Sequence, residues 1–192
     1  DLEHYERSID FREGVLRRSL IWRTPAGKRV RIDSTRMVSF TDRHLGLITL
    51  EVEMLTGNAP VVISSQIVNR QDGLDEYNQP RDAASIIDPR KASTFTERVL
   101  VPKGHWHSER RMLLGYETAA SGMTLAVGAD HTIATDNPVE ELESCEPDIG
   151  KKVFRVEATE GVPIRVTKAV AYHTSRQVPT RELFDRCRRT LD

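Results

Sequence analysis

Apolar and polar residues alternate along most of this chain, which is the pattern of half-buried β-strands. Residues 15–23 place Leu16, Leu20 and Trp22 on one strand face and Arg17, Ser19 and Arg23 on the other. Pro25-Ala26-Gly27 is a turn, Pro fixing φ and Gly permitting φ > 0. The return strand, residues 28–33, turns Val30 and Ile32 inward and Arg29, Arg31 and Asp33 outward. Residues 36–40 read as a short strand. Residues 44–54 read as a longer one, with Ile48, Leu50, Val52 and Met54 opposite Thr49, Glu51 and Glu53. These three segments predict an antiparallel sheet with one wet face, and a core containing Leu16, Trp22, Val30, Ile32, Ile48, Leu50 and Val52.

Gly57 to Pro60 turn the chain into a strand over 61–70. Residues 71–92 hold Asp72-Gly73, Gln79-Pro80 and Asp88-Pro89 without steady periodicity, and predict a long surface loop. Further strands are predicted over 93–101, 110–118, 123–134, 151–158 and 164–173, with Ser121-Gly122 in a hairpin turn. Residues 136–148 carry six acidic side chains and no basic one, and predict a solvated loop or short exposed helix. Only the end of the chain changes period. Thr180 is placed to cap a helix over 181–191, whose Leu183, Phe184, Cys187 and Leu191 share a face. Strands followed by one terminal helix predict an all-β domain leading into something helical.

At 192 residues the chain can bury a sizeable core, and 28 basic against 29 acidic residues leave no nucleic-acid footprint. No apolar run approaches the ~18 residues of a membrane span. Asp1-Leu2-Glu3-His4-Tyr5 has neither an initiator Met nor a signal-peptide pattern, which predicts an excised domain. Cys145 and Cys187 form neither a metal pattern nor a disulfide framework, and a reducing cytoplasm is the expected compartment.

Candidate chemistry is sparse. His105-Trp106-His107 would place two imidazoles on one face of a strand, the spacing of the cupin metal motif. The Glu that motif needs is replaced by Arg111 or Met112 and its leading Gly by Val99, so no metal is expected, and the histidines read as part of a Gly104-containing loop. His44, His131 and His173 read as structural or surface histidines. Ser64-Ser65 lacks the Gly-x-Ser-x-Gly elbow of a nucleophile. Glu51 and Glu53 share a face at ~7 Å, within the range of paired glycosidase carboxyls, although alternating charge on a wet face explains them more simply. Trp106 is the candidate exposed platform for a sugar.

One stretch carries a resemblance. Ser8-Ile9-Asp10-Phe11-Arg12-Glu13-Gly14-Val15-Leu16 runs through Ile21-Trp22-Arg23-Thr24-Pro25-Ala26-Gly27-Lys28 to Arg43-His44-Leu45. In order and turn placement it resembles the N-terminal β-sandwich of glycoside hydrolase family 65, the maltose, trehalose and kojibiose phosphorylases and related hydrolases. The likeness continues through Val61-Val62-Ile63-Ser64-Ser65, Tyr116-Glu117-Thr118 and residues 168–173. It implies an antiparallel two-sheet supersandwich, galactose-mutarotase-like, over residues 1–175, and a linker helix beginning in 176–192. It further implies strands before residue 1 and an α/α-barrel after residue 192. In that family a Glu acid in the barrel protonates the glycosidic oxygen while phosphate or water attacks the opposite face of the sugar. No catalytic residue, metal or cofactor then falls within this chain, with inorganic phosphate a co-substrate if the whole enzyme is a phosphorylase. The implied partners are the chain's own barrel, an α-linked disaccharide and further copies of the chain, with no nucleic acid or membrane. Loop 71–92 is the candidate for helping to close the active site. Two rival readings have discriminating features. A free-standing carbohydrate-binding module of β-sandwich type needs exposed aromatics and no amphipathic terminal helix. A small cupin-like or mutarotase-like enzyme needs a clustered His/Glu site.

Overall fold

The computed structural model describes residues 1–69 and 98–192; the loop predicted over 71–92 lies outside the described residues. Among the described residues, eleven strands and one helix follow in order: β1 Leu2–Asp10, β2 Val15–Arg23, β3 Arg29–Val38, β4 Leu45–Met54, β5 Ala59–Val68, β6 Leu100–His107, β7 Arg111–Thr118, β8 Thr124–Ala134, β9 Val139–Glu146, β10 Ile149–Ala158, β11 Ile164–Ser175 and α1 Thr180–Leu191. They build an eight-stranded sheet, β1-β2-β3-β4-β11-β8-β7-β6, and a three-stranded sheet, β5-β10-β9. Every ladder is antiparallel. The fold is therefore all-β, an antiparallel two-sheet sandwich with one helix, as the alternation predicted. No helix among the described residues is long and apolar enough to cross a membrane.

The register explains where the core sits. Leu20 pairs with Ile32, Ile32 with Val52, and Val52 with Ile164, so one row of apolar residues crosses four strands on one face. Against it lie Ile63 of β5 and Phe154, Val156 and Ala158 of β10, closing the main core. A second core at the other end of the sandwich joins Leu114, Tyr116 and Leu125 to Ile67, Leu100 and Cys145.

Three strands cannot cover eight. Val30 and Val52 lie under the small sheet and are buried, whereas Trp22 beyond it is 43% exposed, so its predicted place in the core is corrected. A two-residue period tells which face a side chain takes but not whether that face is covered. Leu2, Tyr5 and Ile9 of β1, on the same face, are likewise exposed.

Three other expectations change. The short strand at 36–40 is the end of β3, which runs unbroken from Arg29 to Val38. The acidic segment expected as a loop or helix contains strand β9, because each residue from Val139 to Glu146 finds a partner on β10. Of the strand expected over 93–101, residues 93–97 lie outside the described residues; the strand described there runs Leu100–His107, so the histidine pair expected in a loop lies on a strand.

The helix lies on the other face of the large sheet, across β6, β7, β8 and β11. Leu183, Phe184 and Cys187 pack on Leu113, Ala126 and Ala171. Thr180 does not cap it. Pro179 is the N-cap, and no side chain caps the helix. The Thr180 methyl instead packs over Gly115, where a Cβ would lie 2.1 Å from it and 2.7 Å from the Phe184 ring. Gly128 is similarly closed, its would-be Cβ 2.6 Å from Leu113 and 3.1 Å from Leu191. A Gly115→Ala change should therefore force α1 off its seat and cost about 1–3 kcal/mol, the usual penalty of overpacking. Urea denaturation of the two proteins is the check, and unchanged midpoints would show that the close approach carries no weight.

Candidate functional site

Three groups of polar side chains need accounting for. The first lies between the sheets. Lys152 is 2% exposed and meets Glu141 at 2.9 Å and Glu143 at 3.2 Å, both from β9. Its ammonium also donates to the Glu109 carbonyl. Beside it, His131 on β8 is buried. Its Nδ1–H donates to the Arg110 carbonyl at 3.2 Å, leaving Nε2 to accept from Ser65 Oγ at 2.8 Å. Lys168 on β11 donates to the Gln66 carbonyl. Lys152, His131 and Lys168 each have a partner, as burial demands.

Ser65 and His131 have the contact of a nucleophile and its base, which no local sequence signal marks. The chemistry does not follow from the contact. Burial pushes the His131 imidazole down to about 4, with Lys168 and Lys152 nearby adding to the effect. So weak a base contributes little to proton removal near neutral pH. The Nδ1 partner is a backbone carbonyl rather than a carboxylate, and what it and the nearby Asp130 do for the imidazolium is outweighed by burial. The pair is a buried polar tie between the two sheets.

The second group fastens the helix. Arg111, itself largely buried, binds the buried Asp130 at 2.7 Å and reaches the Asp192 carboxylate at 2.8 Å and the Leu191 carbonyl at 3.0 Å. A guanidinium at a helix C-terminus complements the carbonyls left unpaired there. On the other side His44, at the start of β4, stacks on His173 of β11 with ring centroids 4.0 Å apart. His44 donates to the Tyr172 carbonyl, and His173 shares a 2.9 Å hydrogen bond with Thr190 of α1. Burial foremost, then the neighbouring His44 and Arg186, holds the His173 imidazole below its ordinary value. His44, His131 and His173 are thus structural, as the sequence reading has them.

The third group is the set of sequence candidates on β6 and β4. His105 and His107 face the small sheet's side, opposite Leu114 and Met112, while Trp106 faces the helix beside Leu113. Trp106 is 37% exposed, but the Arg188 guanidinium lies 4.6 Å over its ring. One of its faces is thereby taken as a cation–π seat rather than left open to a sugar. Glu51 binds Arg165 at 2.6 Å, and Glu53 pairs with Arg31, both on the wet face of the large sheet. These carboxylates are the compensated rungs of an ion-pair ladder. Among the described residues, no three His, Cys, Asp or Glu side chains converge as a metal site would require. An open trough on the outer face of the small sheet is lined by Val62, Leu142, Val153 and Arg155 among others and contains no aromatic ring.

The structure is thus a two-sheet antiparallel sandwich with a docked terminal helix, in which Ser65 and His131 tie the sheets together and the Glu51 and Glu53 carboxylates are ion-paired. The comparisons place it within a family. All of residues 1–192 match the family described as glycosyl hydrolase family 65, N-terminal domain. An uncharacterised glycosyl hydrolase of Mycobacterium tuberculosis is 33% identical over 172 residues, covering 90% of this chain and 21% of that protein. The α,α-trehalose phosphorylase of Thermoanaerobacter brockii is 24% identical over 179 residues, covering 93% of this chain and 22% of that protein. A solved structure assigned as a kojibiose phosphorylase from human microbiome matches all of this chain, and 22% of its own, with a TM-score of 0.77 at 11% identity. At that identity the likeness shows the fold. The chain belongs to glycosyl hydrolase family 65, as an N-terminal domain of it, and spans about a fifth of the length of the relatives it matches.

The His131 tie makes stability depend on pH. The folded protein holds the imidazole near 4, below the 6.5 of an unperturbed histidine, so folding favours the neutral form. Its contribution is complete above pH ~6.5 and is lost as pH falls through the folded value, by up to about 3 kcal/mol. Urea midpoints measured from pH 7 to 4 should fall more steeply for the wild type than for His131→Gln. Parallel slopes would show that His131 is not held neutral.

Proposed function

We propose that this chain is the non-catalytic sandwich of a family 65 enzyme acting on α-linked glucosyl disaccharides, with residues 1–175 the sandwich and 176–192 the start of a linker. The following α/α-barrel would carry the catalytic acid, and the sandwich would support the barrel and the assembly of copies. One arrangement supports this reading. The helix is seated and clamped at its C-terminal end by Arg111, while the apolar face of β1 and β2 is left uncovered.

That uncovered face says where further strands would go. Leu2 is 60% exposed, Tyr5 51% and Ile9 55%, on the side where the small sheet stops. Among the described residues β5 pairs only with β10, so its other edge is open to strands that would extend the small sheet over β1 and β2. We assign that place to strands preceding residue 1 in the whole protein. The relatives include a glycosyl hydrolase and a phosphorylase by name, so the reading keeps both water and phosphate as the attacking group, with inorganic phosphate the co-substrate in the second case and no other cofactor. It also takes the whole enzyme to be a cytoplasmic homo-oligomer. A free-standing sugar-binding module is disfavoured, because Arg188 occupies a face of the candidate platform Trp106.

The experiment compares the full-length protein with residues 1–192 alone on maltose, trehalose and kojibiose, with and without phosphate. Glucose or glucose 1-phosphate should appear with the full-length protein and not with the isolated chain, since cleavage needs a positioned acid and a nucleophile. Product from the isolated chain, or none from the full-length protein, would overturn the reading.

A further inference from the structure

The polar level between the sheets does not stop where the small sheet stops. Register carries it across the large sheet. His131 pairs with Lys168, Lys168 with Ile48, and Ile48 with Arg36. Arg36 pairs with Leu16 of β2; two residues along that strand, Arg18 pairs directly with Arg7 of β1. Arg18, Arg36, Ile48 and Lys168 lie two or four residues from Leu20, Ile32, Val52 and Ile164, so they share the face of that apolar row. Under the small sheet this level ties the two sheets together. His131 meets Ser65 Oγ at 2.8 Å, and the Lys168 ammonium donates to the Gln66 carbonyl at 2.8 Å. Lys152 finds two carboxylates there, those of Glu141 and Glu143.

Past β5 the same level is cationic and unpaired. Arg7 and Arg36 are exposed and Arg18 is half-buried. None of these arginines makes an ion pair among the described residues. Arg18 Nε is buried without a hydrogen-bond partner. Arg7 and Arg18 stand opposite one another, an arrangement that destabilises a sheet when both side chains carry the same charge. The alternate positions on this face are 5–9 in β1, 16–22 in β2, 30–38 in β3 and 48–54 in β4, and they include no Asp or Glu. Apolar residues flank the arginines along each strand, Tyr5 and Ile9 about Arg7 and Leu16 and Leu20 about Arg18. A small anion would neutralise the guanidinium groups yet leave Tyr5 and Ile9 bare, at 51% and 55% exposure. A strand whose inward residues run apolar, acidic, apolar answers both needs, since alternate residues of a strand face one way.

We infer that the strands preceding residue 1, in extending the small sheet past the open edge of β5, turn Asp or Glu side chains inward at this level to pair with Arg7, Arg18 and Arg36. The inference rests on the proposed function for the identity of its occupant, and adds the chemistry by which that occupant is recognised. A purely apolar cover would bury the guanidinium groups without partners, which is strongly destabilising. Carboxylates accept from a guanidinium in a fixed, two-bond geometry, so the pairs fix which residues of the incoming strands face inward. The seam of Lys152 with Glu141 and Glu143 is the same device in the covered half, with the charges carried by β10 and β9.

The test is zero-length cross-linking of the full-length protein. Arg18→Lys and Arg36→Lys each keep the charge and supply an amine. A carbodiimide joins that amine to a carboxylate in contact with it, forming an amide and taking up the water lost as a urea. Each variant should link position 18 or 36 to an Asp or Glu preceding residue 1, identified by mass spectrometry at monomer mass. An amide to a second copy, to a carboxylate within or after residues 1–192, or no amide in either variant, overturns the inference. Arg18→Glu with Arg36→Glu reads the same pairs through stability: with like charges facing, protease cleavage in the segment preceding residue 1 should become about tenfold faster. Unchanged cleavage in that double variant also overturns it. Disaccharide cleavage by the full-length protein before carbodiimide treatment separates the two claims. An active enzyme without the amide loses the ion-paired seam and keeps the function. An inactive one with the amide keeps the seam and loses the function.

Discussion

Everything distinctive about this domain depends on how close one helix comes to one sheet. A twelve-residue helix is unstable alone in water, so α1 exists because of what it lies on. Its seat is a strip of Gly104, Gly115, Ala126, Gly128 and Ala171, residues too small to hold a helix away. Into that space go Phe184, Leu183 and Cys187, the last two fully buried. The Cys187 thiol lies against the Ala126 carbonyl, and burial pushes it up to about 12, so it behaves as a packing group and not as a nucleophile. Arg111 and the His173–Thr190 bond then fix the far end. The result is a third layer on the sandwich with its C-terminal end fixed.

The two faces of the large sheet are treated differently. On one face the ion-pair ladder of Glu51 with Arg165 and Glu53 with Arg31 gives way to the helix. On the other the small sheet covers β3 onwards and leaves β1 and β2 bare. Between the sheets, Lys152 with Glu141 and Glu143 sits in a polar seam between two apolar cores. Buried ion pairs add little net stability, because desolvation offsets their attraction. They do penalise misregister, since a one-residue slip of β9 would turn both carboxylates away from Lys152.

The strand pattern around Val30, Ile32, Leu50 and Val52 was legible because period-two alternation depends only on neighbours along the chain. So was the apolar stripe of α1. What failed was whatever depended on partners distant in sequence. Trp22 has the right face but, among the described residues, no strand above it. The acidic β9 looks like a solvated segment until Lys152, from the next strand, is seen to lie between its carboxylates. Pro102, Gly104 and two histidines are poor strand formers, yet β6 pairs with β7 across a bulge between Pro102 and Gly104. The Ser65–His131 contact spans 66 residues, and no local signal marks it. The glycines of the helix seat could have been suspected, since Gly115 and Gly128 interrupt otherwise well-patterned strands, a sign of close backbone approach.

The central claim is that α1 is an integral layer of this domain, docked on the glycine strip and aimed by it. Amide hydrogen exchange on the isolated 192-residue chain tests it directly. The account predicts that the amides of Phe184 to Arg188 exchange as slowly as those of β8 and β11, opening only when the sandwich unfolds. Exchange of those amides at the rate of an unstructured peptide, while β8 and β11 stay protected, would contradict it.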